Sequence, residues 1–253
     1  MGTPAVRVAA LYDIHGNLPA LEAVLDEVRR AEVDQVVIGG DALPGPMPRE
    51  TLSRLLNLDI PVQFLQGNGD RVVRAQMAGA DMSEVPERFR EVIRWSAEQL
   101  GPKHERWLAR LPGTVRIQIP QLGDVLFCHA TPRNDTDVFT RLTPEDRLVS
   151  IFEGSNAALV VCGHTHMQFD RVVGRVRVVN AGSVGMPYGD PGAHWLLLGP
   201  DVQFRRTRYD LPQAAERIRA TTYPQAQEFA TRHVLQPASE QEALEVFSRV
   251  ELK

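Results

Sequence analysis

The sequence lacks most features that mark secreted, membrane-spanning or nucleic-acid-binding proteins. It has two cysteines in 253 residues, too few for the disulfide framework of a secreted protein. No window approaches the roughly 18 uncharged apolar residues of a transmembrane helix, and no basic segment followed by an apolar one opens the chain, so we expect no membrane anchor and no signal peptide. The 28 basic and 32 acidic residues give a net charge of −4, which argues against dedicated nucleic-acid binding. These absences predict a cytoplasmic protein with reduced cysteines.

What is present is the composition of a globular chain. Hydrophobic residues make up 43% and charged residues 24%, which excludes a wholly disordered or fibrous protein. No internal repeat, low-complexity tract or linker divides the sequence. We therefore expect a single domain over residues 1–253, with its core at about 6–210 and a helical C-terminal segment at about 211–253.

The N-terminal half alternates strands with helices. Val6–Leu11 and Val36–Ile38 are short apolar runs typical of buried strands. Between them Asn17 can cap a helix whose apolar residues recur at helical spacing, so the pattern predicts a βαβ unit with parallel strands. Further strands are predicted at Val62–Leu65, Thr114–Ile119, Val125–Cys128, Leu159–Cys162, Arg175–Val179, Ala193–Leu198 and Val202–Tyr209. Further helices are predicted at Glu50–Leu58, 71–79, 86–110 with a break at Gly101-Pro102, about 143–153, and from about Pro212 onward, where Ser239 and Glu242 form a capping box.

Polar side chains of metal-ligand type follow five of these strands, at the point where each strand ends. They are Asp13 and His15, Asp41, Asn68, His129, and His164 and His166. The carboxyl ends of the strands of an open α/β sheet share one edge, where ligands bind. We therefore expect all seven side chains to converge on one crevice.

The residue types indicate what occupies that crevice. Two carboxylates, four imidazoles and one amide are too many polar groups to bury unpaired. Such a set suits two divalent ions of the Mn, Fe, Zn or Co kind, because a Mg or Ca site would be mostly oxygen. Neighbouring glycines let the backbone turn sharply beside the ions.

The five motifs, in this order, resemble those of the calcineurin-like metallophosphoesterases, in particular the YfcE-like branch of small bacterial and archaeal phosphodiesterases. They read Asp13-Ile14-His15, Gly40-Asp41, Gly67-Asn68, Cys128-His129-Ala130 and Gly163-His164-Thr165-His166, and the match covers residues 6–185. The resemblance implies an α/β fold of α+β type, a four-layer αββα sandwich of two mixed β-sheets flanked by helices.

The resemblance also implies roles for the seven side chains. Asp13, His15 and His166 would hold one ion, Asn68, His129 and His164 the other, and Asp41 would bridge both. The cofactor would be two divalent metal ions, manganese first, with Fe, Zn, Co or Ni as alternatives. A hydroxide shared by the ions would attack phosphorus, which makes Asp41, Asn68 and His129 the implied catalytic residues.

One position departs from the family pattern. Many relatives carry a histidine directly after the asparagine, and it is assigned to protonate the leaving group, whereas this sequence has Gly69. Either the enzyme favours leaving groups that need little protonation, or another group substitutes. His194 is one candidate and His104 a poorer one, since its helix has charged neighbours that favour a surface position. The Gly-Asp-x-Val-Asp-Arg-Gly motif of the protein serine/threonine phosphatases is also missing after Gly40, which argues against that branch.

Several further residues are candidates for substrate binding or support. Arg133, Arg71, Asn134 and His194 are the substrate-binding candidates, because a guanidinium forks well onto phosphate oxygens; surface ion pairs are the alternative for both arginines. Asp70 is expected to orient Asn68 or to accept from backbone N–H groups. The segment Asn180–Ser183 either supports the metal edge or is a tight turn between strands.

The sequence therefore predicts a dinuclear-metal phosphodiesterase acting on a small phosphoester or nucleotide-type substrate. A phosphomonoesterase or a dinucleoside-polyphosphate hydrolase would share the same site. A non-catalytic protein-binding scaffold of the same fold is a third alternative, motivated by Gly69. The C-terminal segment could cap the active-site edge, cover the sheet or form a homo-oligomer interface.

Overall fold

Two five-stranded β-sheets face each other at the centre of the structure, a computed structural model in which residues 6–250 are described. The first sheet contains β1 (Val8–Leu11), β2 (Gln35–Ile38), β3 (Val62–Phe64), β9 (Ala193–Leu198) and β10 (Val202–Thr207). Its order is β10-β9-β1-β2-β3. β1, β2 and β3 are parallel, whereas β9 and β10 run antiparallel to their neighbours. The predicted parallel βαβ unit is therefore present.

The second sheet is mixed as well. It contains β4 (Thr114–Ile119), β5 (Gly123–Cys128), β6 (Leu159–Cys162), β7 (Phe169–Val173) and β8 (Val176–Asn180), in the order β4-β5-β6-β8-β7. β5, β6 and β8 are parallel, and the two edge strands are antiparallel to them. Parallel strands at the centre of both sheets bring their carboxyl ends to a common edge.

Alternating side chains of each strand divide the core into layers. Val8 and Ala10 of β1 pack between the sheets with Phe127 of β5, whereas Ala9 and Leu11 pack under the helices of the first sheet. Cys128 and Cys162 lie on the outer face of the second sheet and are free thiols. The two sheets and their two outer layers confirm the predicted αββα sandwich.

Helices cover the outer face of each sheet. They are α1 (Leu18–Arg30), α2 (Pro48–Leu56), α3 (Asn68–Met77), α4 (Glu87–Glu98) and α5 (Pro102–Leu108) on the first sheet, α6 (Val149–Glu153) on the second, and α7 (Leu211–Arg219), α8 (Ala226–Phe229) and α9 (Glu240–Phe247) in the C-terminal segment. Asn17 caps α1 by accepting from the Ala20 N–H at 3.2 Å. Helices α7 and α8 pack on Val92 of α4, and Arg217 of α7 pairs with Glu22 of α1 at 2.7 Å.

The structure differs from the sequence-based prediction in several elements. β7 was not predicted, α2 begins at Pro48, and α3 begins at Asn68 itself. The predicted helix at 143–153 is a short 3₁₀ turn (Glu145–Arg147) followed by α6. A π-helical stretch, Ala230–Leu235, extends α8. Residues 1–5 and 251–253 of the predicted domain lie outside the described residues.

Candidate metal centre

All seven predicted donor side chains lie at the edge where the parallel strands end. The first donor group is Asp13, His15 and His166, from the loops after β1 and β6. His166 Nε2 lies 3.3 Å from Asp13 Oδ1 and 3.3 Å from His15 Nε2. These three residues form one of the clusters in the described part of the chain that have the geometry to hold a metal ion.

The second donor group is Asn68, His129 and His164. One terminal atom of the Asn68 carboxamide lies 3.0 Å from His129 Nε2 and 2.9 Å from His164 Nδ1. Two neighbouring ligands bound at about 2.1 Å to one octahedral ion are about 3 Å apart. The spacing in this group therefore fits a shared cation, with the amide oxygen as the ligand atom.

Asp41 lies between the two donor groups. Its Oδ2 is 3.7 Å from His15 Nε2, and its Oδ1 is 3.6 Å from His129 Nε2. The Gly69 N–H donates to Oδ1 at 2.7 Å and fixes the carboxylate. One oxygen of Asp41 thus faces each group, as a bridging carboxylate requires.

Backbone carbonyls set the tautomers of three histidines. Nδ1 of His129 lies 2.9 Å from the Gly39 carbonyl, and Nδ1 of His166 lies 2.8 Å from the Met186 carbonyl. Nδ1 of His15 contacts the Pro44 carbonyl at 3.3 Å. Because a carbonyl only accepts, Nδ1 carries the hydrogen and Nε2 presents its lone pair to the centre.

This arrangement leaves lone pairs facing lone pairs. The Nε2 atoms of His15 and His166 approach to 3.3 Å without a proton between them in these tautomers. Asp13 Oδ1 is buried and has no hydrogen-bond partner. A buried acceptor without a donor is costly, and a cation held among these atoms would satisfy all of them. The donor set therefore fits divalent metal ions.

Burial and neighbouring charges shift the pKa values of the donors in both directions. Burial alone would lower the pKa of His129 and of His166, but the Asp41 and Asp13 carboxylates outweigh it and raise both. Burial, helped by the charge of His166, lowers the pKa of His15 to about 3. Burial and then the charge of His129 lower the pKa of His164 to about 3. Burial alone would raise the pKa of Asp13, but His166 and the other imidazoles outweigh it and hold that pKa below its usual range. Because coordination requires neutral imidazoles and ionised carboxylates, a bound cation would displace the protons that the carboxylates favour on His129 and His166.

The backbone around the donors is strained in a consistent way. Asp13, His15, Asp41, His164 and His166 have φ angles of 53°, 47°, 51°, 66° and 59°, and they make up five of the seven non-glycine residues with positive φ in the described chain. Residues other than glycine rarely adopt this left-handed region, because their Cβ clashes with the backbone. Such clustering is typical of functional sites, where the surrounding structure enforces a costly geometry.

Glycines let the loops approach the donors closely. A Cβ on Gly67 would lie 2.1 Å from Asp41 Oδ1, and one on Gly163 would lie 2.5 Å from Asp13 Oδ2. Position 69, where relatives carry a histidine, is closed in the same way, because a Cβ there would lie 2.2 Å from the Leu43 carbonyl oxygen. The absence of that histidine is thus built into the local backbone.

Buried polar side chains hold these loops in place. The Asp70 carboxylate accepts from the N–H groups of Asp41, Leu43 and Gly67 at 2.8, 3.1 and 3.1 Å. This contact corresponds to the second of the two roles predicted for Asp70. Burial and the charge of Asp41 raise its pKa to about 7.

The segment Asn180–Ser183 supports the metal edge. Asn180 Nδ2 donates to the Gly163 carbonyl at 2.6 Å, and Ser183 Oγ donates to the Asp13 carbonyl at 2.7 Å. Both bonds fix residues that carry or flank donors. The structure therefore favours the supporting role over a simple turn.

The predicted substrate-binding residues are less uniformly placed. Arg71 lies in the first turn of α3, the helix that Asn68 begins, and makes two hydrogen bonds to Asp135, at 2.7 and 2.9 Å. Arg133 pairs with Asp137 at 2.5 Å. Asn134 Oδ1 accepts from the N–H groups of its own loop at positions 136 and 137.

The two candidate replacement acids differ in their contacts. His194 lies on β9, where burial and the charge of Arg206 lower its pKa, and its buried Nε2 has no hydrogen-bond partner. His104 is buried rather than on the surface, because its Nδ1 accepts from the Gly101 N–H at the start of α5, at 3.1 Å. The short α5 folds its first turn over the ring, which the charged neighbours in the sequence did not indicate.

Two residues near the donors were not predicted. Asp135 accepts hydrogen bonds from Arg71, and the charge of Asp135 acts on His164. The position of Asp135, two residues after Arg133, was the one sequence feature that could have indicated it. The ring of Tyr188 lies 6.1 Å from that of His166, and no local pattern marked it, because it lies in a glycine- and proline-rich connection.

Comparison with known proteins agrees with this geometry. Residues 6–200 match the model of the calcineurin-like phosphoesterase superfamily domain, and the chain belongs to that superfamily. An uncharacterized protein of Methanocaldococcus jannaschii is 24% identical over 239 residues, which cover 86% of this chain and 94% of that protein.

Solved structures share the fold. A metallophosphoesterase of Sphaerobacter thermophilus superposes with a TM-score of 0.68 at 26% identity, covering 90% of this chain and 98% of its own. A hypothetical protein of Pyrococcus horikoshii OT3 superposes with a TM-score of 0.77 at 22% identity, covering 92% and 100%. Within residues 6–250, no helix is both long and apolar enough to cross a bilayer.

Proposed function

We propose that the protein is a dinuclear-metal-dependent phosphodiesterase. The observation that carries this proposal is the convergence of the two donor groups on Asp41, with imidazole Nε2 atoms and the unpartnered Asp13 Oδ1 facing inward. When bound, two divalent cations supply an activated water and neutralise charge on phosphoryl oxygens. Manganese fits the mixed imidazole and carboxylate set, as do Fe, Zn, Co and Ni.

The chain's own residues orient the donors and bind the anion. The Nδ1–H contacts to Gly39 and Met186 orient the imidazoles of His129 and His166 so that each Nε2 points inward. Arg71 lies three residues after Asn68 in α3. Its Nε and Nη2 donate to Asp135, and the Asp135 and Asp41 carboxylates raise the pKa of its guanidinium. We therefore assign Arg71 to the phosphate oxygens, with Arg133 as a second contact from the loop after His129.

The closed position 69 determines the type of leaving group. With no room for a side chain beside the Leu43 carbonyl, the general-acid contribution of a histidine, worth about 10²–10⁴-fold, is missing at that point. We expect the enzyme to act best on esters whose leaving group needs little protonation, such as phenolates or phosphoanhydrides.

A phosphomonoesterase and a dinucleoside-polyphosphate hydrolase use the same donors, so the preferred ester is decided by the surrounding loops. A scaffold without catalysis is disfavoured by the complete donor set. The two free buried thiols support a reducing, cytoplasmic location. Self-association stays a prediction.

Hydrolysis of bis-p-nitrophenyl phosphate and of p-nitrophenyl phosphate, with and without Mn²⁺, tests the proposal. We expect metal-dependent turnover of the diester that exceeds that of the monoester and is lost in His129→Ala. His104→Ala is the matched control, because His104 is a buried histidine engaged in a helix cap. Diester turnover that survives in His129→Ala would refute the dinuclear mechanism, and preferential turnover of the monoester would favour the phosphomonoesterase.

A further inference from the structure

The connection between β8 and β9 contacts His166, one of the predicted metal donors, and places an aromatic ring beside it. The Met186 carbonyl fixes His166, and two residues later the ring of Tyr188 lies 6.1 Å from the His166 ring, at 39° to it. Met186 and Tyr188 are both partly exposed. Tyr188 thus borders His166 of the first donor group.

A second ring comes from the end of the chain. Phe247, at the end of α9, lies 6.0 Å from Tyr188 in an edge-to-face arrangement. It is partly exposed, whereas Trp195, Phe127 and Phe139 are fully buried in the layers of the core. The two rings form an L-shaped apolar corner next to the centre, which we call the aromatic corner.

The corner is held rigidly from two directions. The Gly189 N–H donates to the Ala238 carbonyl at 2.8 Å, which ties the residue after Tyr188 to the start of α9. Glu240 of α9 pairs with Arg141 at 2.7 Å, in the connection that follows His129. The C-terminal segment therefore contacts both the β8–β9 connection and the loop that follows His129.

The Tyr188 hydroxyl is also open to a ligand. Within residues 6–250 this hydroxyl makes no hydrogen bond. It is also not fully buried, because it is absent from the set of buried polar atoms without a partner. A tyrosine that offers both a ring face and an unused hydroxyl is suited to hold a flat, polar-edged group.

We propose that the aromatic corner is a subsite for a planar aromatic group of the substrate, an aryl or nucleobase moiety attached to the phosphoester. This inference rests on the proposed function and deepens it by naming the substrate class. Stacking on one protein ring strengthens the binding of a base roughly fivefold or more. An aromatic leaving group is also one that needs little protonation when it is a phenol, in keeping with the closed position 69.

Binding of two stable phosphonates to the Mn²⁺-loaded protein tests the subsite without turnover. Benzylphosphonate and propylphosphonate carry the same anionic head, and their carbon–phosphorus bonds resist hydrolysis. By calorimetry we expect the wild-type protein to bind benzylphosphonate roughly fivefold or more tightly than propylphosphonate. Tyr188→Leu and Phe247→Leu should reduce that ratio to within about twofold while propylphosphonate affinity and Mn²⁺ content stay unchanged.

Two control variants separate a stacking role from a structural one. Tyr188→Phe keeps the ring and should keep most of the preference. Phe204→Leu removes an exposed ring on β10 and should leave the preference intact. Equal affinities in the wild type, no measurable phosphonate binding, or a preference that survives in both leucine variants would overturn the subsite.

Failure of the subsite and failure of the proposed function give different results. A benzylphosphonate preference without any diester turnover would refute hydrolysis and leave the aromatic corner standing. Metal-dependent turnover with no such preference would refute the corner alone.

Discussion

Single residues in the centre act by the space that they leave open as well as by the atoms that they supply. Gly69 occupies the position where many relatives have a histidine, and the Leu43 carbonyl fills the room that a side chain would need. The sequence revealed the missing histidine, but its physical cause depends on a loop 26 positions earlier in the chain (69 − 43 = 26). No local pattern encodes that approach.

Restoring the family histidine is therefore expected to harm the protein. Gly69→His and Gly69→Ala should each lower the free energy of unfolding by about 1–3 kcal/mol, because the added Cβ overlaps a backbone atom. Thermal unfolding and diester turnover provide the measurements. Gly113→Ala is the matched control, since a Cβ there meets nothing within 4 Å. A rise in turnover in Gly69→His would contradict the closed-position argument.

Asp70 should be essential for stability although it is not a metal donor. Asp70→Asn replaces one acceptor oxygen with an NH₂ group among three N–H donors, and an unsatisfied buried donor costs about 1–3 kcal/mol. The free energy of unfolding, measured in urea, and the Mn²⁺ content should both decrease, because the backbone N–H groups of Asp41 and Gly67 lose their acceptor. Asp170→Asn, in an exposed ion pair with Arg177, should change neither. Full metal content in Asp70→Asn would count against the anchoring role.

At the scale of helices and strands, the sequence predicted the centre better than the edges. The buried parallel strands and the seven donors after them follow from apolar runs that end in polar residues. β7 was not predicted, because its central residues Asp170, Arg171 and Val172 do not alternate between polar and apolar. Its position at the sheet edge leaves only Phe169 and Val173 buried. The start of α3 at Asn68 was missed because a residue predicted as a metal donor occupies the first helical position after Gly67.

The π-helical stretch contains a histidine that should couple folding to pH. Burial, with the charges of His166 and Arg232, lowers the pKa of His233 to about 4. The unfolded chain binds this proton near the ordinary value of 6.5, so protonation favours unfolding between those values. The stability contributed by His233 is complete above about pH 6.5 and decreases as the pH falls toward 4.

Comparison with His233→Gln isolates that contribution. In chelator-treated protein, the free energy of unfolding should decrease more steeply from pH 7 to pH 4 in the wild type than in His233→Gln. Urea titrations at several pH values measure the two slopes, and the other histidines cancel in the difference. Parallel slopes would show that His233 titrates alike in both states.

For the whole molecule, the metal is expected to act as a folding ligand. Ions that bind only the folded state at about 100 times their Kd add about 2.7 kcal/mol. Mn²⁺ should therefore raise the Tm by several degrees, and Mg²⁺ should do so less, because imidazole nitrogen suits Mn²⁺ better. Asp13→Asn should abolish the shift, since Asp13 has the geometry to share a metal ion with His15 and His166 and also with Asp41 and His129. Asp170→Asn should retain it, and an equal shift in Asp13→Asn would place the bound ion elsewhere.

At the five donor positions with left-handed backbone, selection for stability and selection for catalysis favour different residues. Each such residue costs on the order of 1 kcal/mol that glycine would avoid. A population selected for heat resistance alone, in medium without transition metals, would be expected to accumulate glycine at positions 13, 15, 41, 164 and 166. The protein would then gain stability while it lost its metal donors. A lineage that kept all five side chains would therefore be under continued selection for metal binding.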